Sequence, residues 1–243
     1  MKILTIKPLL VLTSIIFFIS AFGNELESYS IHYIASTNGI EAKALRSFTL
    51  IGDGIFQISN QLQLDIAGQI VATVNETSEI KALQNSFSPI NYSIVQTGLM
   101  KDSLTIDYDW GERLATIKNS NEISSINLKI NTFDQLSHQV VLQDKISKEK
   151  AQLSFNVIDK DKIIEYKYRI LKKEQITTPL GDFKSTKVER IYEEDSRQKT
   201  LFWLASDLNG MLLRMSQTTS SGINIMLEIQ GGTLNGTPIA GSN

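Results

Sequence analysis

Asp134, Ser137 and His138 lie within five residues and are the types that build a serine hydrolase. In such a triad the imidazole holds the acid through one ring nitrogen and takes the serine proton through the other. Asp134 and His138 are four apart and can touch on a helix. Three close neighbours on one helix do not, however, give His138 two opposed partners, and no Gly-x-Ser-x-Gly elbow accompanies them. They read as helix-capping groups and a surface ion pair. A second candidate is Asp107, Asp109 and Glu112 around Trp110. Paired carboxylates beside an aromatic suit glycoside hydrolysis. On one strand face Asp107 and Asp109 stand about 7 Å apart, inside the inverting range. The same residues also describe an ordinary exposed acidic face, and that reading is preferred. His32, between Ile31 and Tyr33, reads as a plain strand residue. No catalytic residue is assigned.

Composition excludes several other chemistries. Among 243 residues there are two histidines and no cysteine, which removes disulfides, thiolate nucleophiles, zinc fingers and a lipid-modified N-terminal cysteine. There is no HExxH, EF-hand loop or phosphate-binding glycine motif, so neither metal nor cofactor is expected. A net charge of −2 offers no basic footprint for nucleic acid. Lys145, Lys148, Lys150, Lys160 and Lys162 are interspersed with acids and read as a solvated face, with anionic lipid as the alternative contact.

Residues 1–23 resemble an export signal. Lys2 and Lys7 precede an apolar run from Leu9 to Phe22, and Ala21 and Gly23 put small residues where a signal peptidase reads. Cleavage is expected before Asn24, leaving a periplasmic protein with no integral membrane segment. The apolar run of roughly 14 residues is short of the ~20 that span a bilayer.

The elements that must position any site are strands. From Ile55 to Ile66, Phe56, Ile58, Asn60, Leu62, Leu64 and Ile66 alternate with Gln57, Ser59, Gln61, Gln63 and Asp65. A strand with this period has one oily face, broken here only by Asn60, and one wet face. The pattern recurs around Leu104–Trp110, Leu153–Val157, Ile164–Ile170 and Ile223–Ile229. One-sided alternation predicts antiparallel strands. Gly52-Asp53-Gly54, Thr178-Pro179-Leu180-Gly181 and Asn209-Gly210 are turn signals, and Pro89 is expected to open a strand. One segment breaks the rhythm. Thr132 with Gln135 reads as a capping box, and Phe133, Leu136, Val140 and Val141 follow at helical spacing, predicting a helix over about 133–147.

The expected architecture is mainly β: a curved antiparallel sheet or half-open β-barrel with one main helix, in a single domain over 24–230 followed by a flexible tail at 231–243. The alternative is a β-sandwich with a packed core. A curved sheet encloses a cavity, and such folds hold apolar ligands. The wall candidates are Phe56, Ile58, Leu62, Leu64, Tyr108 and Trp110, with Phe133 and Leu136 from the helix. The leading expectation is non-enzymatic binding of an apolar or lipid-like ligand in the bacterial envelope. An envelope protein partner docked by strand addition is the second, and a hydrolase the third.

Several segments, in order, carry a family resemblance: Tyr29-Ser30-Ile31-His32-Tyr33 and Gly39, Ser88-Pro89-Ile90-Asn91-Tyr92, Tyr108-Asp109-Trp110, Phe133-Asp134-Gln135-Leu136-Ser137, Thr178-Pro179-Leu180-Gly181-Asp182-Phe183, and Leu201-Phe202-Trp203-Leu204-Ala205-Ser206-Asp207. Together they resemble the bacterial family called domain of unknown function 3108, from Tyr29 to about Ile229. Met211-Leu212 departs from the Leu-Pro or similar pair expected there. The resemblance implies an exported, mostly β protein whose shape is similar to periplasmic lipoprotein carriers. It transfers no catalytic residue.

Overall fold

The computed structural model describes residues 26–83, 86–98, 101–120, 122–147 and 152–242. The expected leader, Lys148 and Lys150 lie outside these. The first half is an antiparallel meander: β1 (Tyr29–Thr37), β2 (Ile40–Gly52), β3 (Ile55–Ile66), β4 (Gln69–Leu83), β5 (Ser86–Gly98), β6 (Asp102–Asp109), β7 (Leu114–Asn119) and β8 (Ile123–Asn127). A two-residue strand β9 (Thr132–Phe133) and the helix α1 (Ser137–Ser147) follow. The second half is β10 (Gln152–Asp159), β11 (Lys162–Thr178), β12 (Gly181–Ile191), β13 (Lys199–Ala205), β14 (Leu212–Thr218), β15 (Asn224–Leu234) and the short β16 (Thr237–Pro238). Type I′ turns at Asn38-Gly39 and Asp53-Gly54, with both central φ values positive, close the first two hairpins with the twist that the strands require.

All the described strands belong to one sheet. The two meanders join where β1 pairs with β15, so the first strand and the last long strand lie in the middle of the sheet. Its edges are β8 and β9, neighbours in sequence at opposite ends of the strand order. The short link between them bends the sheet round on itself without closing it, and β9 comes to rest against β5. The half-open barrel expected from the strand pattern is the observed fold.

The helix fills part of the hollow. Leu136 and Val140 pack into a cluster with Phe48, Ile58, Ile80 and Ile106 from the first meander. Val141, Leu142 and Ile146 pack into a second cluster with Phe155, Tyr168, Val188 and Leu213 from the other. Each of these aliphatic side chains contributes roughly 1.5–3 kcal/mol by leaving water. A helix buried on several sides needs no single apolar stripe. The loop after β13 lies on it. A Cβ at Gly210, where φ is +73°, would stand 2.8 Å from the Gln143 carbonyl oxygen.

Three local expectations are corrected. The helix begins at Ser137, and its cap is Asp134. Asp134 Oδ1 accepts from the Leu136 and Ser137 N–H groups, while Ser137 Oγ accepts from the Asp134 N–H. This is a capping box two residues later than the one read from Thr132. Pairing of Thr132 and Phe133 with Asn156 and Val157 draws both into β9 instead. Pro89 sits inside β5, where the register shifts between Glu79 and Ile80, and a bulge is where a strand accepts a residue without N–H. The segment expected as a flexible tail is paired over much of its length. It completes β15, forms β16, buries Ile239 and bridges Asp182 through Ser242.

Candidate ligand-binding site

The inner faces of β2, β3 and β4 are in register, so their residues form rows across the sheet. Phe48, Ile58 and Ser78 form the innermost row, sealed against the helix. The next row is polar: Arg46, Asn60 and Glu76. Beyond it come Ala44, Leu62 and Val74, then Ala42, Leu64 and Ala72. The interior is therefore a packed floor, a polar belt and an apolar trough lined partly by small residues. The trough lies open where the alanines leave room that larger side chains would fill.

The hollow above the belt has a volume of about 430 Å³, within the range of small-molecule sites. It continues through Ala35, Leu62, Val74 and Ile225 into a section of about 260 Å³ that reaches Thr37 and Ile40. Phe202, Met215 and Leu227 form the opposite apolar wall. Beyond Val140 and Asp144 a separate cleft holds only about 60 Å³.

The polar belt is ordered. Tyr92 donates to Glu76 Oε1 at 2.6 Å and Asn60 Nδ2 to Glu76 Oε2 at 3.3 Å. Arg46 Nη1 donates to Gln139 Oε1 at 2.8 Å, tying β2 to the helix. Across the hollow, His138 Nδ1 is 3.0 Å from the Asp134 carbonyl oxygen and therefore carries the proton. Its Nε2 accepts from the Tyr168 hydroxyl at 2.9 Å. Burial pushes this imidazole down to about 3, and the positive charges of Arg190 and Arg46 add to the effect. Arg190 stacks 3.4 Å above the Tyr166 ring, and Tyr166 donates to Asp159 Oδ2 at 2.9 Å.

Of the wall candidates, Leu62 and Leu64 line the trough. Ile58, Phe133 and Leu136 are sealed in the packed clusters. Phe56 stacks on Phe48 at 4.9 Å. Tyr108 stacks on Trp110 at 6.0 Å, and Trp110 donates from Nε1 to the Pro89 carbonyl and borders a different hollow near Leu128. The wall expected from the sequence does not include Arg46, Glu76, His138 or the alanines. Two of them carry a signal: Arg46 interrupts the apolar alternation Ala42, Ala44, Phe48, and Glu76 together with Ser78 interrupts Ala72, Val74, Ile80.

The residues considered for hydrolysis do not converge. The Asp134 carboxylate is bound by backbone N–H groups and by Ser78 Oγ at 2.8 Å, and His138 meets Asp134 only at its backbone carbonyl, its other ring nitrogen being taken by Tyr168. Asp107 pairs with Lys118 at 3.2 Å on the surface, and Asp109 caps the turn at Glu112. Among the described residues no group of three or more His, Cys, Asp or Glu could hold a metal. No helix among them is long and apolar enough to cross a membrane.

One solved structure shares this fold at low identity, and two others align with the chain more loosely. A β-barrel-like protein of domain of unknown function DUF1849 from Brucella abortus shares 10% identity with a TM-score of 0.58, covering 86% of this chain and 98% of its own. A candidate lipoprotein from Parabacteroides distasonis shares 12% with a TM-score of 0.37, covering 86% and 96%. A candidate exported protein with a YmcC-like fold from Bacteroides fragilis shares 11% with a TM-score of 0.36, covering 86% and 97%. No curated protein sequence matches this chain. Residues 28–229, which run from the start of β1 to the middle of β15, match the family described as "Protein of unknown function (DUF3108)", and the chain belongs to that family.

Proposed function

We propose that this protein binds an apolar or lipid-like ligand in the bacterial envelope without transforming it, using the trough above the polar belt. The supporting observation is the pair of adjoining hollows, about 430 and 260 Å³, whose walls are apolar and whose inner end is polar. Burial is the mechanism. Each methylene moved from water into the trough contributes roughly 0.8 kcal/mol. The resemblance of residues 1–23 to an export signal supports the periplasmic setting.

Filling the trough tests this. Ala44 faces Leu62 across the β2–β3 pair and lines the hollow. Wild-type protein is expected to enhance the fluorescence of N-phenylnaphthylamine, a neutral apolar dye. Ala44→Trp is expected to reduce that enhancement about tenfold or more, because the indole takes the ligand's place, with the far-UV circular dichroism retained. Absence of enhancement in the wild type, or an unchanged response in Ala44→Trp, would refute the reading.

The outer edge favours a second reading. β8 pairs only with β7 among the described strands and exposes Ile123, at 73% of its surface. An extended segment of an envelope protein can add to such an edge.

A further inference from the structure

Granting that the trough is a ligand site, we infer that its ligand is an acyl chain ending in a carboxylate, held by Arg46. Arg46 is 5% exposed and lines the cavity from β2. Its Nε donates to the Tyr29 hydroxyl at 3.3 Å, and its Nη1 to Gln139 Oε1 at 2.8 Å and Asn60 Oδ1 at 3.4 Å. Its Nη2 is buried and has no acceptor among the described residues. All three partners are neutral. A guanidinium stays protonated in proteins; the Glu76 carboxylate favours the Arg46 charge through space, but the hydrogen bonds of Arg46 go to neutral groups and leave Nη2 unpaired. A ligand oxyanion at Nη2 supplies both the acceptor and the countercharge, through the strong, charge-assisted kind of hydrogen bond.

The charge balance selects a single negative charge. Arg46 and Arg190 both border the hollow, against one carboxylate, Glu76. Glu76 is already held by Tyr92 and Asn60. Asp134 is engaged in the helix cap and Asp159 with Tyr166, and neither lines the cavity. Two positive groups and one negative leave room for one anion. A carboxylate carries that charge, whereas a phosphomonoester approaches two at neutral pH. From Arg46 outward, Ala44, Leu62, Ala42 and Leu64 run for roughly 13 Å of strand with no charged side chain, a path for the acyl tail.

Displacement of N-phenylnaphthylamine by decanoate, decanol and decyl phosphate tests the assignment. Decanoate is expected to compete at concentrations about tenfold lower than decanol in the wild type. Arg46→Met is expected to abolish that difference while still binding the dye and decanol, and Arg46→Lys to keep part of it. Equal competition by decanoate and decanol in the wild type would overturn the proposal, as would a preference that survives in Arg46→Met. Tighter competition by decyl phosphate would overturn the carboxylate and point to a phosphate head. The wild-type comparison decides the matter even if Arg46→Met fails to fold. A wild type that ignores the dye refutes the trough itself, whereas dye binding without carboxylate preference refutes only the head group.

Discussion

Gly232→Ala is expected to lower the unfolding free energy by about 3 kcal/mol or more, read from the urea midpoint at unchanged slope. Gly232 lies in the β1–β15 pair that joins the two meanders, opposite Ile31. A Cβ there would stand 2.4 Å from the Ser30 carbonyl oxygen and 2.8 Å from Ile31 Cα, and the backbone holds φ at +149°. These obstacles are main chain, so they cannot swing aside as a side chain would. The neighbouring register shift, where His32 faces Gly231 but Tyr33 faces Ile229, already bends this seam. Separating it would split one sheet into two, each with an exposed apolar face. A loss below about 1 kcal/mol would mean that the seam gives way easily and is not what holds the halves together.

The second large effect concerns acid. His138 is neutral in the fold, its imidazole pushed by burial from its ordinary 6.5 to about 3. Between those values the unfolded chain carries a proton that the folded protein refuses. The His138 contribution is therefore complete above pH 6.5 and is lost as pH falls toward 3, at about 1.4 kcal/mol per pH unit. Asp134 acts in the opposite sense. Burial raises its carboxyl from 3.8 to about 6, against the pull of the Ser137, Ser78 and Leu136 donors. The folded protein then takes up this proton first, so stability is regained as pH falls from about 6 to 3.8. The two slopes oppose each other in that window. Asp134→Asn is expected to steepen the acid loss relative to wild type, and His138→Gln to reverse it, by about 1.4 kcal/mol per pH unit in each direction. Urea melts between pH 4 and pH 6, in the window set by these two groups, measure both. Parallel profiles for all three proteins would show that neither group differs in protonation between folded and unfolded states.

The strand character of this protein is open to reading because a period of two is local. The face of β3 can be taken from its own residues, including the interruption at Asn60. The site is not local in that sense. Arg46, Asn60 and Glu76 form one belt only because the β2–β3 and β3–β4 registers bring them opposite one another, and one residue of slip would turn a strand's whole inner set outward. Size alone does not mark a wall residue. Large side chains such as Ile58, Phe133 and Leu136 fill the space they face, and so become core. The hollow opens where residues are small, at Ala35, Ala42, Ala44 and Ala72. At the helix, Thr132 and Asp134 are both competent caps, and the choice falls to Asp134 because β10 claims Thr132 as a partner. The glycine-rich end reads as mobile from composition alone, whereas the position of β15 beside β1 gives that end a sheet to join.

The trough as a container is tested most directly by native mass spectrometry of the mature protein released from the envelope under mild conditions, followed by lipid extraction of the same sample. The expected result is a near-stoichiometric adduct with the mass of an acyl-chain compound, present on the wild type and lost from Ala44→Trp. A wild-type protein that consistently emerges at its bare polypeptide mass, or an adduct equally abundant on Ala44→Trp, would contradict the account.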